Sequence, residues 1–137
     1  MNKIDRIYNL LKHSKSFFVA TIEGDKPNVR PFNAVVKSDG KIYLYTNRRT
    51  SAYRQLSANP HLSICALANE DRWLKLTASA VFDGSISAKT ALLEANPALK
   101  KMYSVDDKIL EVFYLEKITA KIHSNYTSPE IICKEEN

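Results

Sequence analysis

VRPFNAVVKSDGKIYLYTNRRTS, residues 29–51, reads as two strands joined by a turn, with an oddity in the first. Val29, Phe32, Val35 and Val36 are strand formers, yet Arg30, Pro31 and Asn33 interrupt them. Alternation puts Arg30 and Phe32 on one face and Val29, Pro31 and Val35 on the other. Pro31 cannot donate a ladder hydrogen bond, so this strand is expected at an edge or bulged there, where a ligand can approach backbone groups. The second strand, KIYLYT (41–46), follows the turn signal KSDG and leads into Asn47, Arg48 and Arg49. Thr50 or Ser51 can then cap a helix through about Ala58, which Asn59-Pro60 stops. A helix start offers free N–H groups and the positive end of a dipole; hydroxyls and arginines beside it suit a phosphate. From spacing alone, plain capping and a solvated turn account for these residues equally well.

The flanking segments extend this pattern. FFVATI (17–22) is a strand closed by the turn EGDKP. LSICALA (62–68) is nearly all apolar, as expected of a strand buried on both faces. RWLKLTASAVFD (72–83) alternates, with Leu74, Leu76, Ala78, Ala80 and Phe82 on one side and Trp73, Lys75, Thr77 and Ser79 on the other. EVFYLEKITAKIHS (111–124) supplies closing strand material, and the chain from about residue 125 reads as a solvated tail ending in KEEN. Ile4, Ile7, Tyr8 and Leu11 fall on one helical face, as do Ala88, Ala91, Leu92 and Ala95 before a second Asn-Pro stop, Asn96-Pro97. ALKKMYS adds a helical turn. Five or six antiparallel strands with three short helices make an α+β protein on a small antiparallel barrel.

At 137 residues the chain suits one domain with one core, spanning 1–137. No apolar run approaches the roughly 18–20 residues of a membrane span, and the N-terminal pattern carries charges that a signal peptide lacks. Cys65 and Cys133 form no CxxC and have no histidine pair nearby, so no metal site is expected and a reducing cytoplasm is the default. Residues 1–54 hold 11 Lys/Arg against 4 Asp/Glu, so the net charge of +5 is concentrated in the half containing the opening stretch. An anionic ligand could use that excess, although a solvated face explains the charge alone. A stacking platform of Arg30, Phe32, Tyr43 and Tyr45 for nucleic acid is a weaker reading, because no RNP-like or helix-turn-helix signature accompanies it.

Taken in order, FFVATIEGDKPNVRPFNAVV, GKIYLYTNRR, YRQLSANPHLSICAL and RWLKLTASAVFD resemble the pyridoxamine 5′-phosphate oxidase-like proteins with an FMN-binding split barrel, particularly the small nitroimidazole-resistance and general-stress-type members. The resemblance covers roughly residues 5–124 and implies a six-stranded antiparallel split β-barrel with short flanking helices. It implies that Arg30 donates to the flavin and that Pro31, Phe32, Asn33 and Val35 run along the ring and ribityl chain. Tyr45, Thr46 and Asn47 continue this contact, and Arg49, Thr50 and Ser51 hold the phosphate. Trp73 reaches the flavin across the interface of a homodimer. Where members commonly carry a basic residue at the helix start, this chain has Thr50-Ser51-Ala52, so Arg48 or Arg49 would have to substitute. The implied activity is FMN-dependent oxidoreduction of a small cytoplasmic molecule, with nitro-aromatic reduction among the candidates. The alternative is a non-catalytic flavin- or haem-binding module of the same fold. No side chain stands out as a proton-transfer catalyst: His13, His61 and His123 are scattered, and Cys65 is expected to be an inert core thiol.

Overall fold

In the computed structural model, which describes residues 2–136, α1 (Lys3–Ser14) opens the chain under the cap of Asn2, whose side chain accepts the Asp5 N–H at 2.8 Å. Its inner face buries Ile7 and Leu11 against the sheet, with Ile4 and Tyr8 partly covered. β1 (Phe17–Glu23) pairs with β2 (Lys26–Phe32), and β3 (Val36–Ser38) with β4 (Lys41–Asn47) through Asp39-Gly40. Both turn residues have positive φ, 55° and 73°, the conformation that lets a two-residue hairpin follow strand twist. α2 (Ser51–Ala58), β5 (His61–Leu67), β6 (Arg72–Phe82), α3 (Ile86–Ala95) and a 3₁₀ turn (Pro97–Lys101) follow. β7 (Leu110–Ser124) and β8 (Glu130–Glu136) complete the sheet.

The strands run β2-β1-β5-β6-β7-β4-β3, every neighbour antiparallel. β2 and β3 stand at opposite ends of this order, yet residues 33–35 alone join them. Three residues span at most roughly 3.5 Å each, so the sheet must curl until its two ends nearly meet. The result is an open, split barrel of α+β class. β2 lies at an edge, as Pro31 requires.

The sheet has eight strands against the expected six, for two reasons. The segment around Asn33 leaves the ladder, which separates β3 from β2. And the tail expected to be solvated from about residue 125 instead forms β8 along the second half of β7; Ile132 and Cys133 are buried there, which offsets the cost of ordering the segment. Asn137 lies outside the described residues. β7 serves three partners: β6 on one edge, and β4 then β8 on the other.

The barrel interior holds Phe17, Val19, Leu44, Ile64, Leu74, Leu76 and Phe113. A second cluster forms where α3 and the 3₁₀ turn lay Leu92, Leu93 and Leu99 over Val36, Tyr43, Leu110 and Val112. β5 departs from its expected burial on both faces. Leu62, Ile64 and Ala66 point inward, but Cys65 is half-buried and Leu67 is 62% exposed on the outer face. The same outer face carries Phe18 at 44% and Val29 at 67% exposure, giving an apolar area that no element of this chain covers.

Candidate functional site

The split in the barrel creates a cleft of about 350 Å³ between the end of β2, the end of β4 and the start of α2. Arg30, Pro31, Phe32 and Asn33 form one wall. Tyr45, Thr46 and Asn47 form the second, and Thr50, Ser51 and Ala52 the floor at the helix start. Tyr103, just beyond the 3₁₀ turn, closes the remaining side. Nine of the residues singled out from sequence therefore meet in one place: Arg30, Pro31, Phe32, Asn33, Tyr45, Thr46, Asn47, Thr50 and Ser51.

The helix start is capped by Thr50. Its Oγ1 accepts the Tyr53 N–H at 3.1 Å and donates to the Asn47 carbonyl at 2.9 Å. Thr46, buried on β4, places its own hydroxyl 2.6 Å from that oxygen, so the cap is held from the strand side as well. An α-helix leaves its first N–H groups without intrahelical acceptors. Thr50 satisfies that of Tyr53, and Ser51 and Ala52, whose N–H groups have no intrahelical acceptor, line the cleft floor. Asn47 ties the floor to the outer wall: its Oδ1 accepts the Arg49 N–H at 2.9 Å and its Nδ2 donates to the Tyr103 hydroxyl at 2.8 Å. The Tyr45 and Tyr103 rings meet edge to face at 5.7 Å. Burial, with Tyr103 adding to it, pushes the Tyr45 hydroxyl above its ordinary pKa, so the wall is neutral.

Arg30 is the cation of the cleft. Its side chain lies on the inner side of the sheet, where Nη1 donates to Thr21 Oγ1 at 2.6 Å and to the Val19 carbonyl at 3.3 Å. Nη2 donates to Gln55 Oε1 at 3.0 Å. Desolvation by burial lowers its pKa from the ordinary arginine range, with no carboxylate to offset it. Five N–H bonds are available to a guanidinium, so donors remain for a ligand.

Val35, Arg49 and Trp73 do not line the cleft. The Val35 side chain is buried in the barrel core and its carbonyl accepts from Asn96 Nδ2 at 3.5 Å. Arg49 faces a neighbouring hollow with Arg48, Tyr53 and Arg54. Arg48 is spent on Glu111, Nε to Oε1 at 2.6 Å, and this carboxylate raises its pKa. Neither arginine lines the cleft in this arrangement; both border the hollow on the other side of Thr50. Trp73 lies on the outer sheet face, stacked on His123 at 5.6 Å and bordering a shallow hollow with Phe18, Val29 and Cys65. Cys65 therefore belongs to a surface and not to the core.

Sequence reasoning missed Tyr103, Ala52 and the pair Thr21 and Gln55. Tyr103 comes from a region whose path is set by tertiary packing of the 3₁₀ turn. Gln55 is an unremarkable amide in a helix until its 2% exposure is seen. Nothing in the local sequence distinguishes either.

The family profile described as pyridoxamine 5′-phosphate oxidase matches residues 4–118. A NimC/NimA family protein from Clostridium acetobutylicum is 36% identical, with a TM-score of 0.89 over 96% of this chain and 94% of its own. General Stress Protein 26 from Bacillus anthracis is 14% identical, with a TM-score of 0.70 over 96% and 99%. A heme binding protein from Mycobacterium smegmatis is 17% identical, with a TM-score of 0.68 over 96% of this chain but 57% of its own. The last two show a shared fold. No curated protein matches the chain.

Proposed function

Because the chain belongs to the pyridoxamine 5′-phosphate oxidase family, a split-barrel family whose members typically bind flavin, we propose that its cleft binds FMN and that the protein is a flavin-dependent oxidoreductase acting on a small molecule. One observation carries this reading: a single cleft joins a cation, Arg30, to an uncrowded helix start bearing the hydroxyls of Thr46, Thr50 and Ser51. The residues fit the group. Arg30 and Asn33 offer donors to the polar edge of a planar ring, and Phe32, Tyr45 and Tyr103 offer flat apolar walls. The N–H groups of Ser51 and Ala52 and the Ser51 hydroxyl suit the phosphate through hydrogen bonds and the helix dipole. A side chain carrying full positive charge is absent from the floor among the described residues.

When bound, the flavin supplies electron-pair acceptance and reoxidation. The protein's own share is electrostatic: Arg30 favours negative charge at the ring, and the half-buried rings of Tyr45 and Tyr103 screen that side from water. Nitro-aromatic compounds are the substrate class this reading favours, on the resemblance of the sequence to the nitroimidazole-resistance members. The alternative, a haem module, would have to ligate iron through Tyr45 or Tyr103, since the lining of the cleft contains no His, Cys or Met.

The reading includes a homodimer formed through the outer sheet face, where Phe18, Val29 and Leu67 are exposed and Trp73 is partly so. Phe18→Asp puts a charge at the middle of that face and is expected to convert a dimer to monomer in light scattering coupled to gel filtration. A cytoplasmic location also belongs to this proposal and rests on two free cysteines. No helix among the described residues is long and apolar enough to cross a membrane.

A visible absorption spectrum tests the proposal. Protein mixed with excess FMN and then gel-filtered is expected to elute with flavin bands at the dimer position. A colourless protein would sink it.

A further inference from the structure

Four of the arginines are matched with carboxylates: Arg6 and Arg72 with Glu130, Arg48 with Glu111, and Arg54 with Glu23. Arg30 is treated differently. Its partners are a hydroxyl, a carbonyl and a side-chain amide, all neutral. The two side chains among them, Thr21 and Gln55, are 1% and 2% exposed, and buried polar groups on an inner sheet face are costly unless bonded. Both are fully engaged: Thr21 Oγ1 accepts from Arg30 and donates to Gln55 Oε1 at 2.5 Å. The other end of the Gln55 amide donates, Nε2 to Glu23 Oε2, at 3.1 Å. Glu23 in turn takes Arg54 Nη2 at 3.0 Å.

The sequence of contacts is thus cation, amide, carboxylate, cation. The nearest acid in this relay stands one amide away from Arg30, although a glutamate at position 55 would have reached it directly. We infer that Gln55 is a neutral spacer, which anchors the Arg30 guanidinium without cancelling its charge and so leaves that charge to an anionic ligand in the cleft. An amide holds direction through its dipole; a carboxylate in the same place would saturate the guanidinium bidentately and compete with the ligand. In a cleft whose helix start carries no other cation, this reservation sets affinity. Gln55 touches no ligand in this arrangement and acts through Arg30, as a positioning residue. The role rests on the flavin reading above.

An exchange variant separates charge from composition. Gln55→Glu with Glu23→Gln keeps the net charge and reverses the order of amide and acid along one relay. Its cost to folding is small where Glu23 is concerned, because the Arg54 pair is exposed. The exchange variant is expected to bind FMN about fiftyfold more weakly than wild type, the effect of a carboxylate adjoining the arginine. Gln55→Met removes the acceptor and adds no charge; because Arg30 keeps its bonds to Thr21 and the Val19 carbonyl, affinity is expected to stay within about fivefold of wild type. Affinities are read by quenching of FMN fluorescence, with thermal melts reporting folding. An exchange variant that binds FMN like wild type overturns the inference, and so does a Gln55→Met chain that loses as much as the exchange was expected to lose. Should the exchange variant not fold, Gln55→Met decides alone. A wild-type chain with no FMN affinity overturns the flavin reading and this role together, before any variant is made.

Discussion

Arg30→Met is expected to weaken FMN binding by about a hundredfold, the combined loss of charge-assisted hydrogen bonds in a partly desolvated cleft. Methionine keeps the length and apolar stem of the side chain, so the wall between Val19 and Gln55 stays filled. Thr21 and Gln55 keep each other, at 2.5 Å, which limits the damage to folding. Fluorescence titration of FMN into both proteins measures the effect. Arg30→Lys should fall between them, since it restores a charge but not the fork that reaches Thr21 and Gln55 together. An unchanged affinity in the methionine variant would demote Arg30 to a packing residue and move the binding site elsewhere.

The second large effect concerns stability. Phe113 has no exposed surface and lies in the middle of an aromatic chain. Its ring meets Phe32 edge-on at 6.4 Å and Phe82 at 5.6 Å; Phe82 meets Tyr53 of α2 at 5.2 Å. One buried ring therefore supports both β2 and, through Phe82, the helix that forms the cleft floor. Phe113→Ala should cost about 3–5 kcal/mol, from lost transfer energy and a cavity the curled sheet cannot collapse. Against a total of about 5–15 kcal/mol for a domain, that is a large share, visible as a lower urea midpoint. A loss below about 1 kcal/mol, the ordinary cost of a point substitution, would show that the ring is dispensable. FMN affinity should fall in the same variant, because Phe32 loses its backing.

Much of this fold was legible because local signals agreed. Ala58-Asn59-Pro60 and Ala95-Asn96-Pro97 both end helices where the chain stops being helical, and Thr50 is the cap. The strand positions of Arg30, Phe32 and Pro31 followed from period two, and the edge location from the missing N–H of proline. Other features depend on what a segment meets later. Ile131-Ile132-Cys133 sits between Glu130 and Lys134-Glu135-Glu136, so its composition hides a strand that the free edge of β7 recruits. LSICALA looked doubly buried because apolar content does not say whether this chain or a second one covers a face. The cleft was half visible: its two walls and floor could be placed by register, whereas Tyr103 and Gln55 join it through packing between elements distant in sequence. The bond from Arg48 Nε to Glu111, between residues far apart in sequence, was equally out of reach of local signals.

The long strand β7 also dictates an order of events during folding. Tyr45 finds its partner only at Val112, and Phe82 at Phe113, so β4 and β6 both wait for the same late segment. Until it arrives, the β1–β2 and β3–β4 hairpins and α1 can form from near neighbours, while the edges of β4 and β6 stand unpaired. Closing such distant contacts is slow, since chain entropy is spent before the pairing rewards it. In that interval the two open edges are the points at which one chain could capture another. The strand that joins β4 to β6 is the last of the sheet's main path to be made, and only β8, which pairs with β7 itself, follows it.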